Sequence, residues 1–147
     1  MEKILLWVHI LCAMTYIGGM IFLAAAVIPY ARKLELEARG KIISGIGKKF
    51  RMLSWVAIAL LIITGFGMLG ISGQTSAIGS NTTLMWKLIL FALMIILSLV
   101  HDMVIGSRSA KDPKNISLRT FSSWTGRVTL LLGLAIVYLA INLNLGI

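Results

Sequence analysis

Four long apolar runs separated by short polar stretches set the pattern of this chain. They are expected over residues 4–28, 52–71, 84–105 and 123–143. Each has the roughly 20 residues that an α-helix needs to cross about 30 Å of hydrocarbon. Pro29 follows the first run and is expected to end it. The stretch Tyr30 to Phe50 reads as a loop with helical pieces, notably Ala31 to Arg39, broken at Gly40, Gly45 and Gly47. The second run closes on Thr64-Gly65-Phe66-Gly67-Met68-Leu69-Gly70, a small-residue series suited to close helix contact. Ser72 to Thr83 carries no charge and reads as an external loop; its Asn81-Thr82-Thr83 spells a glycosylation sequon, with a polar turn before a helix as the simpler reading. Asp112-Pro113 marks a turn in the last loop.

Composition agrees with the pattern. The chain has 147 residues, enough for one domain, and is 59% hydrophobic against 13% charged. Its mean hydropathy is +0.95, which points to a membrane protein. The net charge of +9 would suit nucleic acid if it were spread along a groove. Instead, 12 of the 14 Lys and Arg fall between Arg32 and Arg51 or between Arg108 and Arg127. Such clustering orients a membrane protein with its basic loops inside, and it excludes nucleic acid as a partner. The expected fold is therefore an all-α integral membrane protein, a four-transmembrane-helix antiparallel bundle with both termini outside. The lipid bilayer is its first partner, and a bacterial or archaeal inner membrane its expected location. The first run is too long for a cleavable signal, so a retained helix is expected. A tryptophan opens each span (Trp7, Trp55, Trp86, Trp124), as interfacial aromatic belts require. The single cysteine, Cys12, excludes an intrachain disulfide and a cysteine-rich zinc site.

Ionisable groups in lipid are expensive and mark candidate sites. Both histidines, His9 and His101, sit in apolar runs. By helical rise, His9 lies about 8 Å inside the start of its span, Lys87 about 5 Å inside the outer end of the third, and His101 about 26 Å from that end. An outer polar layer of His9, Lys87, Asn142 and Asn144 and an inner layer of His101, Asp102, Arg51, Arg127 and Arg108 are expected. On the helical period, His9 shares a stripe with Cys12, Ala13, Tyr16 and Met20; Lys87 shares one with Phe91, Met94 and His101. Such residues suit a flat cofactor or ordinary helix packing. Either histidine equally suits an interhelical hydrogen bond. Lys87 suits an interfacial cation or the partner of a cofactor carboxylate. Arg51 and Arg127 suit inner anchors or the partners of a propionate.

Trp7-Val8-His9-Ile10-Leu11, continuing to Tyr16-Ile17-Gly18-Gly19-Met20-Ile21-Phe22, resembles the first helix of two related groups. One is the membrane domain of the copper-resistance D family; the other is the membrane-bound protoporphyrinogen oxidase that uses haem b. Met85-Trp86-Lys87-Leu88 followed by His101 is similar to the Trp-x-Lys-Leu helix of the second group. Arg51-Met52-Leu53-Ser54-Trp55 and Trp124-Thr125-Gly126-Arg127-Val128 resemble helix openings in the first. The resemblance implies a four-helix membrane protein holding haem b. It makes His9 the axial ligand of the iron and Lys87 a candidate second ligand or functional partner; beside it, the residues themselves offer His101 as the other candidate second ligand and Tyr16, Arg51 and Arg127 as candidate cofactor contacts. The chain departs from the oxidase pattern in its inner polar layer and in the spacing after span 1. It also lacks the Met-x-x-Met or histidine cluster that soft-ligand copper sites prefer.

Three functions follow. A bis-histidine electron-transfer cytochrome needs His9 and His101 on one iron, yet the helix arithmetic separates them by about 18 Å in depth. Ligation by His9 alone, or with a weak Lys87, leaves an accessible haem face suited to O2 or NO. A haem-dependent membrane oxidoreductase, nitric oxide dioxygenase-like, is therefore the leading expectation. No flavin or nicotinamide fingerprint is present, so quinol or a redox partner protein would supply electrons. The third expectation is a non-catalytic haem- or copper-handling subunit, or a structural membrane subunit. Gly18-Gly19 and Gly65 to Gly70 serve either to seal the bundle or to join two copies, and a homodimer is expected.

Overall fold

The computed structural model describes residues 1–73, 77–108 and 116–145. The expected turn at Asp112-Pro113, with Lys111 and Lys114, lies outside them, as do the side chains of Arg108 and Asn144. The described residues are helical and include no strand. Four stretches are long and apolar enough to cross a membrane: Glu2–Arg32, Leu36–Ile71, Thr82–Met103 and Thr120–Leu143. The chain divides into two compact units, Met1–Thr75 and Ser76–Ile147, and each is a helix pair.

In the first unit, α1 (Glu2–Phe22) runs through a π-helical turn (Leu23–Val27) into α2 (Ile28–Arg32). Pro29 does not end the helix as expected. The Ile28 N–H bonds back to the Leu23 carbonyl, five residues earlier, and the widened turn puts Pro29 in the first turn of α2. A missing N–H there costs little. A short turn then leads to α3 (Leu36–Ile71). This single helix of 36 residues replaces the expected broken loop, running straight through Gly40, Gly45 and Gly47. A glycine costs a helix only about 1 kcal/mol. Good helix formers surround the first of them, and a Glu37–Lys41 ion pair at 2.7 Å lies along the same turn. The helix stops at Gly73, whose φ of 66° is the left-handed conformation that ends helices.

The two helices of this unit pack antiparallel along one seam. Leu5 lies against Gly67, His9 against Gly65, and Gly19 against the ring of Phe50. Along α1 the seam is 5, 9, 12, 16, 19; along α3 it is 50, 54, 57, 61, 64. Steps of four and three alternate, which is the heptad spacing of close helix pairs. Cys12, Tyr16, Ser54, Ala57, Leu61 and Thr64 are buried on it. Here the small residues seal one helix against another, as dispersion-driven packing in lipid favours.

The second unit opens with the single turn α4 (Ala77–Ser80), followed by α5 (Thr82–Arg108) and α6 (Ile116–Leu145). Asn81 caps α5, its side-chain oxygen accepting the Leu84 N–H at 3.0 Å. The sequon asparagine is thus a helix cap. α6 begins earlier than the apolar pattern indicated, because Ile116 to Ser122 is too polar to register as a span. Leu84 and Met94 on α5, with Thr125 and Thr129 on α6, are buried between the pair. The hydroxyls are satisfied within their own helices: Thr125 donates to Phe121 O at 2.9 Å and Thr129 to Thr125 O at 2.8 Å. Polar side chains thereby sit in apolar helices without an unmet donor.

Candidate functional site

His9 lies one turn from the N-terminal end of the α1 side of the seam. Its Nδ1 is 2.8 Å from Thr64 Oγ1. The Thr64 hydroxyl has one proton, and Leu60 O lies 2.6 Å away to accept it. The threonine oxygen must therefore accept from the imidazole, so Nδ1 carries hydrogen. A neutral imidazole in that tautomer has its lone pair on Nε2. Gly65 completes the seat, since a side chain there would meet His9 Cε1 at 3.5 Å. Tyr16 and Cys12 are buried farther along the same seam, so the stripe expected around His9 is the face that packs on α3. Thr64 and Gly65 belonged to the small-residue series read only as a contact surface. A threonine beside a glycine, opposite a histidine in an antiparallel pair, was the available signal.

His101 sits differently. Its Nδ1 is 3.4 Å from Asp102 Oδ1 and its Nε2 is 3.3 Å from Ser122 Oγ. The carboxylate can only accept, so Nδ1 donates, and the Ser122 hydroxyl supplies the proton shared with Nε2. Both ring nitrogens thus bond side chains of the second helix pair, which ties α5 to α6. Lys87 is half-buried on α5, between the buried Leu84 and Met94 in the same unit. Arg51 is half-buried next to Phe50, at the far end of the first seam from His9. Arg127 is exposed on α6, with its guanidinium carbon 5.6 Å from the centre of the Trp124 ring. Trp7, Trp86 and Trp124 are each more than half exposed.

Ser54 stands apart among buried hydroxyls. Its Oγ has no hydrogen-bond partner among the described residues. No group of three or more His, Cys, Asp or Glu among the described residues could hold a metal ion by itself.

No family model matches the chain, and no solved structure does either. An uncharacterized protein of Aquifex aeolicus (strain VF5) is 28% identical over 147 residues, covering 99% of this chain and 97% of that protein. The likeness therefore runs from end to end.

Proposed function

We propose that this chain is an inner-membrane haem b protein of the kind its first helix resembles, with His9 as the axial ligand through Nε2. The single observation that supports this is the His9–Thr64 bond at 2.8 Å. It fixes on Nε2 the lone pair that a ligand nitrogen needs, and it supplies the hydrogen bond that orients metal-binding histidines through their other nitrogen. Haem, when bound, supplies an iron that takes up O2 or NO and exchanges electrons. The chain's own part is to hold and orient. Thr64 fixes the ring, Gly65 makes room for it, and the apolar seam excludes water.

Ligation by one histidine is favoured over the bis-histidine reading because His101 has both ring nitrogens engaged with Asp102 and Ser122. The reading is therefore an oxidoreductase acting on O2, NO or a small reductant, fed by quinol or a redox partner. Its four spans form an antiparallel bundle with both termini outside, working as a homodimer. The test is the spectrum of the chain made with ample haem and purified in mild detergent. A Soret band is expected, with a dithionite-reduced form that takes up CO. Absence of the band overturns the reading. A low-spin spectrum indifferent to CO would replace it with bis-ligated electron transfer.

A further inference from the structure

The inner end of the first helix pair holds a cleft that neither helix fills. Phe22, Ala26, Val27 and Tyr30 line it from the α1–α2 run, and Ile42 and Ile46 from α3, around a volume of about 390 Å³. Phe22 and Tyr30 are 61% and 62% exposed. The cleft exists because two patterns stop at different places. The apolar run of the first helix continues to Ile28, whereas the stretch of α3 facing it is amphipathic, with Ile42 and Ile46 toward the cleft and Lys41, Lys48 and Lys49 exposed.

Charge surrounds this apolar surface. Seven Lys or Arg lie between Arg32 and Arg51 against two carboxylates, Glu35 and Glu37. One of those, Glu37, is already held by Lys41 at 2.7 Å. Arg32 and Lys33 follow Tyr30 within a turn. Arg39, Ile42, Ile46 and Lys49 fall on one helical stripe, so each end of the α3 wall of the cleft carries a cation. The apolar run of the first helix ends at Ile28, so Phe22 lies about 9 Å deeper by helical rise, and Arg32 and Lys33 follow beyond that end.

We infer that this cleft binds one anionic phospholipid of the inner leaflet. An acyl chain lies along Phe22, Ala26, Val27, Ile42 and Ile46, and the phosphate meets Arg32 and Lys33. The inference rests on membrane insertion with the basic loops inside and makes no use of haem. A zwitterionic lipid fits the apolar wall equally but gains nothing from the cations. Each cation near an anionic headgroup changes binding about fivefold.

The test is native mass spectrometry of the full chain in mild detergent, titrated with dioleoyl phosphatidylglycerol or dioleoyl phosphatidylcholine. A one-to-one phosphatidylglycerol adduct is expected at a concentration about tenfold or more below that needed for phosphatidylcholine. The double variant Arg32→Gln/Lys33→Gln abolishes that preference. Ile46→Trp, which plugs the cleft, weakens both adducts, and Ala26→Trp is the second plug should the first lose its helical circular dichroism. Lys3→Gln, at the other end of α1, changes nothing. Equal retention of the two lipids overturns the inference. So does an adduct unchanged in the double variant and the plugs, displacement by inorganic phosphate alone, or a protein segment cross-linked at position 46. A chain with no Soret band that keeps the lipid preference fails the haem reading alone; a haem-loaded chain without the preference fails this one alone.

Discussion

The two helix pairs each carry one histidine, and they bond its Nδ1 to different partners, a hydroxyl in the first and a carboxylate in the second. In the first pair, Thr64 receives the Nδ1 proton of His9 at 2.8 Å and passes its own to Leu60 O at 2.6 Å. The bond consumes the donor side of the ring and assigns the lone pair to Nε2. In the second pair, Asp102 and Ser122 take the two nitrogens of His101 at 3.4 and 3.3 Å. There the lone pair is committed to a neighbouring helix. Presence of a histidine in an apolar helix is thus a weak functional signal. On the proposed reading, a ligand differs from a fastener in which nitrogen the surrounding hydroxyls address.

That contrast breaks most sharply at the histidines themselves. His9→Ala is expected to remove the Soret band of haem-supplemented protein entirely, while His101→Ala keeps it; full haem retention in His9→Ala would sink the assignment. Next in size is Thr64→Val, which keeps the shape and loses the acceptor. It should weaken haem binding about 10- to 100-fold by titration, as loss of an orienting hydrogen bond does, with Thr64→Ser restoring most of it. Gly19→Leu probes the seam that carries His9. Its side chain would overlap the Phe50 ring, and destabilisation of about 1–3 kcal/mol is expected in a denaturant titration of the detergent-solubilised chain. Ser122→Ala removes the fastener of the second pair and should cost about 0.6 kcal/mol in the same titration, without moving the haem spectrum. Gly45→Ala is the smallest change and has the opposite sign. Nothing lies within 4 Å of the added methyl, so a gain of about 0.5–1 kcal/mol in helix stability is expected.

Much of the architecture was legible in the chain because lipid demands it. Four apolar runs of spanning length, with cations clustered between alternate pairs, leave helices as the economical arrangement. The helix ends were less legible. Gly40, Gly45 and Gly47 were read as breaks, but a glycine lowers helix stability without forbidding the conformation, and the cost is small beside 36 residues of continuous hydrogen bonding. Pro29 was read as a stop, because the π-turn that accommodates it has no composition of its own. For the site, His9 and Tyr16 stood out by chemistry and spacing. Thr64 did not, since a threonine in a small-residue series is indistinguishable from packing until the register of α1 against α3 is known. Register depends on which small residues meet which large ones, here Gly67 with Leu5 and Gly19 with Phe50.

The π-turn at Leu23–Val27 has a consequence for chain length. Continued at its own spacing beyond position 19, the seam would bring position 30 against α3. The residue that is buried is Ala31, at 0% exposure, while Tyr30 stays out at 62%. The widened turn holds one residue more than an α-helical turn would, which rotates everything after it by about 100°. Winding the same residues as a continuous α-helix would therefore exchange a methyl for a phenol against α3 and take Tyr30 out of the cleft it lines. Five residues of nearly featureless sequence, Leu-Ala-Ala-Ala-Val, thus decide through their winding, and not through their identity, whether Tyr30 or Ala31 faces α3. A substitution there is expected to be silent, and so is deletion of one residue, which restores α-helical winding and leaves Ala31 on the seam.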